Sequence, residues 1–121
     1  MSQIYRVLIK THHMTSRKKI LTITKAAKRL SCSVVLKIRG PPGIMLAEGS
    51  GALEWMEIVR KLRYKDYQLL KKESVAEARL NVPEGSVVEL STMKELGALL
   101  ARDEVLLRWW KVCMGYQNDD P

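Results

Sequence analysis

The chain has 121 residues, 46% of them hydrophobic, enough for one packed core and too apolar for global disorder. No run approaches the ~20 apolar residues of a membrane span. Met1-Ser-Gln-Ile-Tyr-Arg6 has no basic stretch leading into an apolar one, so no secretory leader is expected. The net charge is +8 and unevenly spread: residues 1–47 hold ten Lys and Arg and no carboxylate, whereas residues 48–121 hold eleven against thirteen Asp and Glu.

Ile4 to Lys10 reads as a strand, with Tyr5, Val7 and Ile9 on one face and Arg6, Leu8 and Lys10 on the other. Thr15 or Ser16 caps a helix running to Leu30, whose apolar stripe is Ile20, Ile23, Ala27 and Leu30 and whose outer side carries Lys18, Lys25 and Arg29. A second strand over 33–39 alternates Val34, Leu36 and Ile38 with Val35, Lys37 and Arg39. Gly40-Pro-Pro-Gly43 then suits a type II turn at Pro42-Gly43, closing a hairpin onto a short strand over 44–47.

Ser50 is the expected cap of a second helix over 52–63, with Ala52, Trp55, Met56, Val59 and Leu62 inward. A fourth strand over 66–71 completes the order βαββαβ. Short strands are expected at 78–82 and 86–90 around Pro83-Glu-Gly85. Thr92-x-x-Glu95 is a capping-box signature for a third helix with Leu96, Leu99 and Leu100 inward. A fourth helix spans 103–114, with Leu106, Trp109 and Cys113 along its buried side, Trp110 unassigned and Gly115 as its stop. The expectation is one α+β domain: a ferredoxin-like sandwich over 4–72, a helical extension over 73–116 and a polar tail over 117–121.

Little in the sequence suggests catalysis. His12-His13 are the only histidines, and adjacent side chains at a strand end point apart, short of the three or four converging ligands a metal needs. Cys32 and Cys113 have no partner at CxxC spacing and read as free thiols of an intracellular chain, nuclear or cytoplasmic. No GxSxG turn or P-loop is present. The expectation is a non-enzyme without cofactor or metal.

A one-sided positive field raises self-repulsion, and its usual counterpart is a polyanion. The candidate contacts are Lys10, His12, His13, Arg17, Lys18, Lys19, Lys25, Arg29, Lys37 and Arg39. Arg6 would add to the open sheet face. Arg17-Lys18-Lys19 stands out because cations in a first helical turn oppose the macrodipole. With no Phe and an Ile44-Met-Leu-Ala47 third strand, base stacking on the sheet is disfavoured, leaving phosphate contacts. The expected function is RNA binding within a ribonucleoprotein. The alternative is an adaptor whose basic surface meets an acidic partner, with Trp110 as apolar anchor.

Several motifs support a resemblance: Tyr5 to His12-His13, Ser16-x-x-Lys19, Gly40-x-Pro42-Gly43 with Glu48-Gly49, and Arg60-Lys61-Leu62. Together they resemble the ferredoxin-like domain at the C-terminus of spliceosomal pre-mRNA processing factor three, which also follows the RWD domain in RWD-domain-containing proteins. The match covers 4–72, and Val88 to Gly97 resembles that family's C-terminal helix entry. The resemblance implies a ferredoxin-like fold without catalysis and, in the spliceosomal branch, contact with small nuclear RNA. The chain departs from the RWD branch in having no RWD domain before the fold, which implies a stand-alone paralogue or a fragment.

Overall fold

The computed structural model describes residues 3–116; the expected tail over 117–121 lies outside the described residues. The elements in chain order are β1 (Ile4–Thr11), α1 (Arg17–Arg29), β2 (Ser33–Lys37), β3 (Gly43–Gly49), α2 (Ala52–Arg60), β4 (Gln68–Val75), β5 (Val87–Leu90), α3 (Met93–Leu100) and α4 (Glu104–Met114). They build an α+β fold around one five-stranded mixed sheet of order β4-β1-β3-β2-β5. β1 runs antiparallel to β3 and β4, β2 antiparallel to β3, and β5 parallel to β2. The first six elements form the expected ferredoxin-like βαββαβ unit, and β5, α3 and α4 form its extension.

Val7, Leu8 and Ile9 are consecutive and all fully buried, the mark of a strand covered on both faces. Val7, Ile9, Val34, Leu36, Met45 and Ala47 pack under α1 and α2 against Ile20, Ile23, Ala27, Trp55 and Val59. Leu8, Val35, Ile44 and Leu46 point the other way and are covered by Leu96, Leu100, Leu106 and Trp110 of α3 and α4. Each fully buried aliphatic side chain contributes about 1.5–3 kcal/mol, so both layers carry the fold.

Local chemistry sets the element ends. Ser16 caps α1 by accepting from the Lys19 N–H at 3.2 Å. Thr92 and Glu95 form a complete capping box on α3. Asp103 caps α4, and Gly115 ends it in the left-handed conformation at φ 82°.

Four expectations are corrected. The cap of α2 is Gly51 rather than Ser50: a Cβ there would come within 2.7 Å of the Leu30 carbonyl oxygen. In the β2–β3 turn the positive φ falls on Gly40 at 64°, and Gly43 is already in β3. Gly43 is needed for close approach instead, since a Cβ would collide with Thr11 Oγ1. No strand forms over 78–82, because the Arg79 and Leu80 N–H groups donate to a side chain and not to a neighbouring strand. The buried indole also differs: Trp110, left unassigned, is 4% exposed and core, while Trp109, expected on the buried side, is only half-buried.

Candidate functional site

The N-terminal cations do not form one surface. Arg6 is buried, and its Nε donates to Glu48 Oε2 at 2.7 Å. Arg6 and Glu48 lie directly opposite in the β1–β3 ladder, so the sheet register makes the pair. Glu48 Oε1 accepts the N–H groups of Arg79 at 2.9 Å and Leu80 at 2.7 Å. The first carboxylate of the chain therefore neutralises a cation of the basic third and pins the connection after β4 onto the sheet.

Lys37 is also buried, and its Nζ donates to the carbonyls of Arg39, Gly40 and Pro42. It holds the β2–β3 turn, and burial lowers its pKa. Arg17 makes a bidentate pair with Glu89 of β5 at 2.8 and 3.1 Å. That hydrogen bond raises the Arg17 pKa and lowers that of Glu89. Lys19 lies 4.9 Å from the centroid of the Tyr64 ring.

Of the remaining candidates, Lys10 and His12 line an open depression of about 590 Å³ with Pro41, Pro42 and Asp66. His12 Nδ1 is 3.6 Å from Asp66 Oδ2, and the His12 and His13 rings are 4.8 Å apart. Lys25 and Arg29 line a different depression, with Thr22, Ala26 and Ile58. Lys18, His13 and Arg39 are exposed. The open sheet face foreseen for Arg6, Lys10, Lys37 and Arg39, with His12 at its end, is covered by α3 and α4.

The described residues contain no group of three or more His, Cys, Asp and Glu able to hold a metal. Burial pushes the Cys32 thiol up to about 11 and also raises that of Cys113, so neither is an activated nucleophile. No helix among the described residues is long and apolar enough to cross a membrane.

The feature that does stand out lies between β4 and α4. Lys71 and Glu73 of β4, with Val105, Trp109, Val112 and Cys113 of α4, line a mainly apolar groove of about 360 Å³. Val105 is 56% exposed and Val112 57%, seven residues apart on one side of α4 with Trp109 between them. The Trp109 Nε1–H donates to Glu73 Oε2 at 2.7 Å, and the Arg6 guanidinium sits 4.9 Å from the Trp109 ring centroid. The groove floor is thus fixed from two sides before anything enters it. Beside it, β4 is an edge strand paired only with β1 among the described residues. A β-bulge at Leu70 breaks its register, between the Leu8–Lys71 and Ile9–Leu69 pairs. Helical spacing placed Trp109 on the buried side and gave no groove; an ionisable Glu48 in an otherwise apolar strand was the available signal for the buried pair behind it.

Neither a family model nor a curated protein sequence matches the chain. Solved structures do. BlrB, a BLUF protein in its dark state, aligns with TM-score 0.61 and 22% identity over 92% of this chain and 86% of its own. Klebsiella pneumoniae BlrP1 with FMN and cyclic diGMP aligns with TM-score 0.63 and 14% identity over 92% of this chain and 34% of its own. A bacterial light-regulated adenylyl cyclase gives TM-score 0.53 and 14% identity, over 94% of this chain and 37% of its own. The chain spans 66% of the separate BlrP1 BLUF structure and about a third of the longer proteins.

At these identities the likeness shows the fold. It corrects the resemblance drawn from the motifs: the solved structures that share this architecture are BLUF proteins, not the spliceosomal or RWD-associated domain. The expectations of RNA binding, a ribonucleoprotein setting and mRNA splicing fall with it. The adaptor reading loses its anchor, because Trp110 is core. The physical reason lies in the geometry, where Arg6, Arg17 and Lys37 are committed to partners within the chain and Trp110 is core.

Proposed function

We propose that this chain is a regulatory module of BLUF-like fold that acts by contact with another protein along β4 and α4, without a flavin in its interior. The observation that carries this reading is the preformed apolar groove floored by Trp109 and flanked by the exposed Val105 and Val112. Rigid aromatic side chains in such settings supply most of the energy of protein interfaces.

One BlrP1 structure contains FMN, so the fit of a flavin has to be considered. An isoalloxazine needs a flat enclosed slot and hydrogen-bonding groups for its ring nitrogens and oxygens. The strand side chains facing α1 and α2 (Val7, Ile9, Val34, Leu36, Met45 and Ala47) are apolar and at zero exposure. Trp55 is fully buried against them and donates its Nε1–H to the Ile23 carbonyl at 3.3 Å, tying α2 to α1. The opposite layer is filled by Leu96, Leu100, Leu106 and Trp110. The residues present do not fit the group.

Two measurements test the reading. Mixed with excess FMN and desalted, the protein should carry no visible flavin absorbance; stoichiometric retention overturns the flavin-free account. A photo-crosslinking residue placed at Val112 should give a discrete protein adduct in cells, and the same residue at the exposed Thr22 on α1 should not. Equal labelling from both positions contradicts docking at α4.

A further inference from the structure

We infer that the β4–α4 groove takes an extended segment of a partner protein by strand addition to the free edge of β4, and that this segment alternates apolar side chains with carboxylates. The inference rests on the contact reading above and specifies its mode and chemistry.

Four observations converge on it. The first is the edge: β4 is eight residues long, and among the described residues its backbone pairs only with β1. Beyond the bulge at Leu70, over residues 71–75, the other edge presents N–H and C=O groups at the spacing an incoming strand requires.

The second is the wall. α4 packs against β4, and Val105, Trp109 and Val112 form a continuous apolar strip alongside that edge. Successive side chains of an added strand point to opposite sides, so every second one would enter the groove and the others would face outward.

The third is charge. Lys71 and Lys72 are adjacent and exposed on β4, and Arg108 is exposed on the groove wall. Glu73 is already occupied by the Trp109 indole and lies 3.7 Å from Lys71. Lys71 and Arg108 flank the groove, whereas Lys72, paired with Val7, lies on the opposite face of β4, where the outward side chains of an added strand would run, so an incoming strand meets cations on both faces. A second copy of this chain pairing edge to edge through the centre of β4 would set Lys71 and Lys72 near their counterparts, and opposed like charges destabilise a sheet. Lys71 and Lys72 select against self-pairing, and Lys72 favours carboxylates among the outward side chains of the added strand.

The fourth is preorganisation. The Trp109 ring is held by Glu73 on one side and Arg6 on the other, and Arg6 is itself fixed by Glu48. The floor loses little freedom on binding, so less of the contact energy is spent on ordering it.

The test uses the full chain and a fluorescein-labelled octapeptide alternating Val and Glu. Three control peptides accompany it: one with Lys for Glu, one with the same composition but Pro at two central positions, and one scrambled out of alternation. Anisotropy should show binding of the Val/Glu peptide alone. Val112→Asp, at an exposed position outside the packed core, should weaken binding by about tenfold or more, with the unfolding temperature measured alongside. Lys72→Glu with Arg108→Glu should reverse the preference toward the Lys peptide. Hydrogen exchange should show slower amides in Gln68–Val75 only when the Val/Glu peptide is present. Equal binding of the Pro-containing peptide, or no change in β4 exchange at saturation, overturns strand addition while leaving docking at α4 intact. No binding of any peptide also overturns it, and marks Lys71 and Lys72 as guards against edge-to-edge aggregation. Retention of FMN overturns the underlying reading independently of every peptide result.

Discussion

On the α1–α2 side of the sheet, the strand residues Val7, Ile9, Val34, Leu36, Met45 and Ala47 are all apolar, and the layer is closed by one fully buried indole, Trp55. On the α3–α4 side the same strands contribute Leu8, Val35, Ile44 and Leu46, but also Arg6 and Glu48 as a buried ion pair. The first layer is held by packing, with no charge in it and the Trp55 N–H on the Ile23 carbonyl as a polar tie. The second is packing built around a charge pair that also anchors the backbone at Arg79 and Leu80 and stacks beneath Trp109. A buried pair contributes little net stability but is costly to break, because the surviving charge has no water. The difference shows where specificity lies. The apolar side could be repacked, whereas the charged side fixes which segment crosses the sheet and how the groove indole is oriented.

Substitutions can break this contrast. The largest effects are expected from Glu48→Ala and Trp55→Ala, each lowering unfolding free energy by about 3–5 kcal/mol in chemical denaturation. They should differ in rescue. Arg6→Met added to Glu48→Ala removes the stranded cation and recovers part of the loss, with the Arg79 and Leu80 N–H groups still unsatisfied. No change at Arg6 should rescue Trp55→Ala. Equal response of both variants to Arg6→Met would erase the distinction between the layers.

A smaller effect is expected at the helix start. Ser16→Ala removes the acceptor for the Lys19 N–H and should cost about 1 kcal/mol, read by the same denaturation.

The pH response follows. The Leu106 N–H, then the Arg79 guanidinium, hold the Asp103 carboxyl below its ordinary 3.8, and the Arg17 hydrogen bond holds Glu89 below 4.5. Groups depressed in the folded state stabilise it fully above their unfolded values, and that contribution fades as pH falls through the folded ones. Thermal unfolding should therefore shift down progressively below about pH 4.5. Asp103→Asn should flatten part of that slope.

The smallest effect is expected from Glu89→Gln. Its ion pair with Arg17 is exposed, so the loss should shrink further as salt is raised.

The local parts of the fold were legible because they depend on near neighbours. Ile20, Ile23 and Ala27 recur at helical spacing, Thr92 and Glu95 sit at capping-box spacing, and the βαββαβ order follows from short β-prone runs set between helical stripes and Gly/Pro turns. What escaped depends on partners distant in sequence. Arg6 and Glu48 are 42 residues apart and meet only through strand register, so a count of charges reads them as surface. The cluster at 1–47 was real in the sequence, yet Arg6, Lys37 and Arg17 are drawn inward or across to carbonyls and to Glu89. Trp109 and Trp110 are adjacent on α4, and the seating of that helix on the sheet and α3 decides which one faces the core. The groove was invisible for the same reason, being made by an edge strand and a helix 30 residues later.

Equilibrium dialysis against FMN, followed by Trp emission and visible absorbance, tests the central claim most directly. With Trp55 packed between α1 and α2, the account predicts equal ligand on both sides of the membrane and an unaltered unfolding temperature. Saturable uptake of one FMN per chain, with a rise in unfolding temperature, would contradict it.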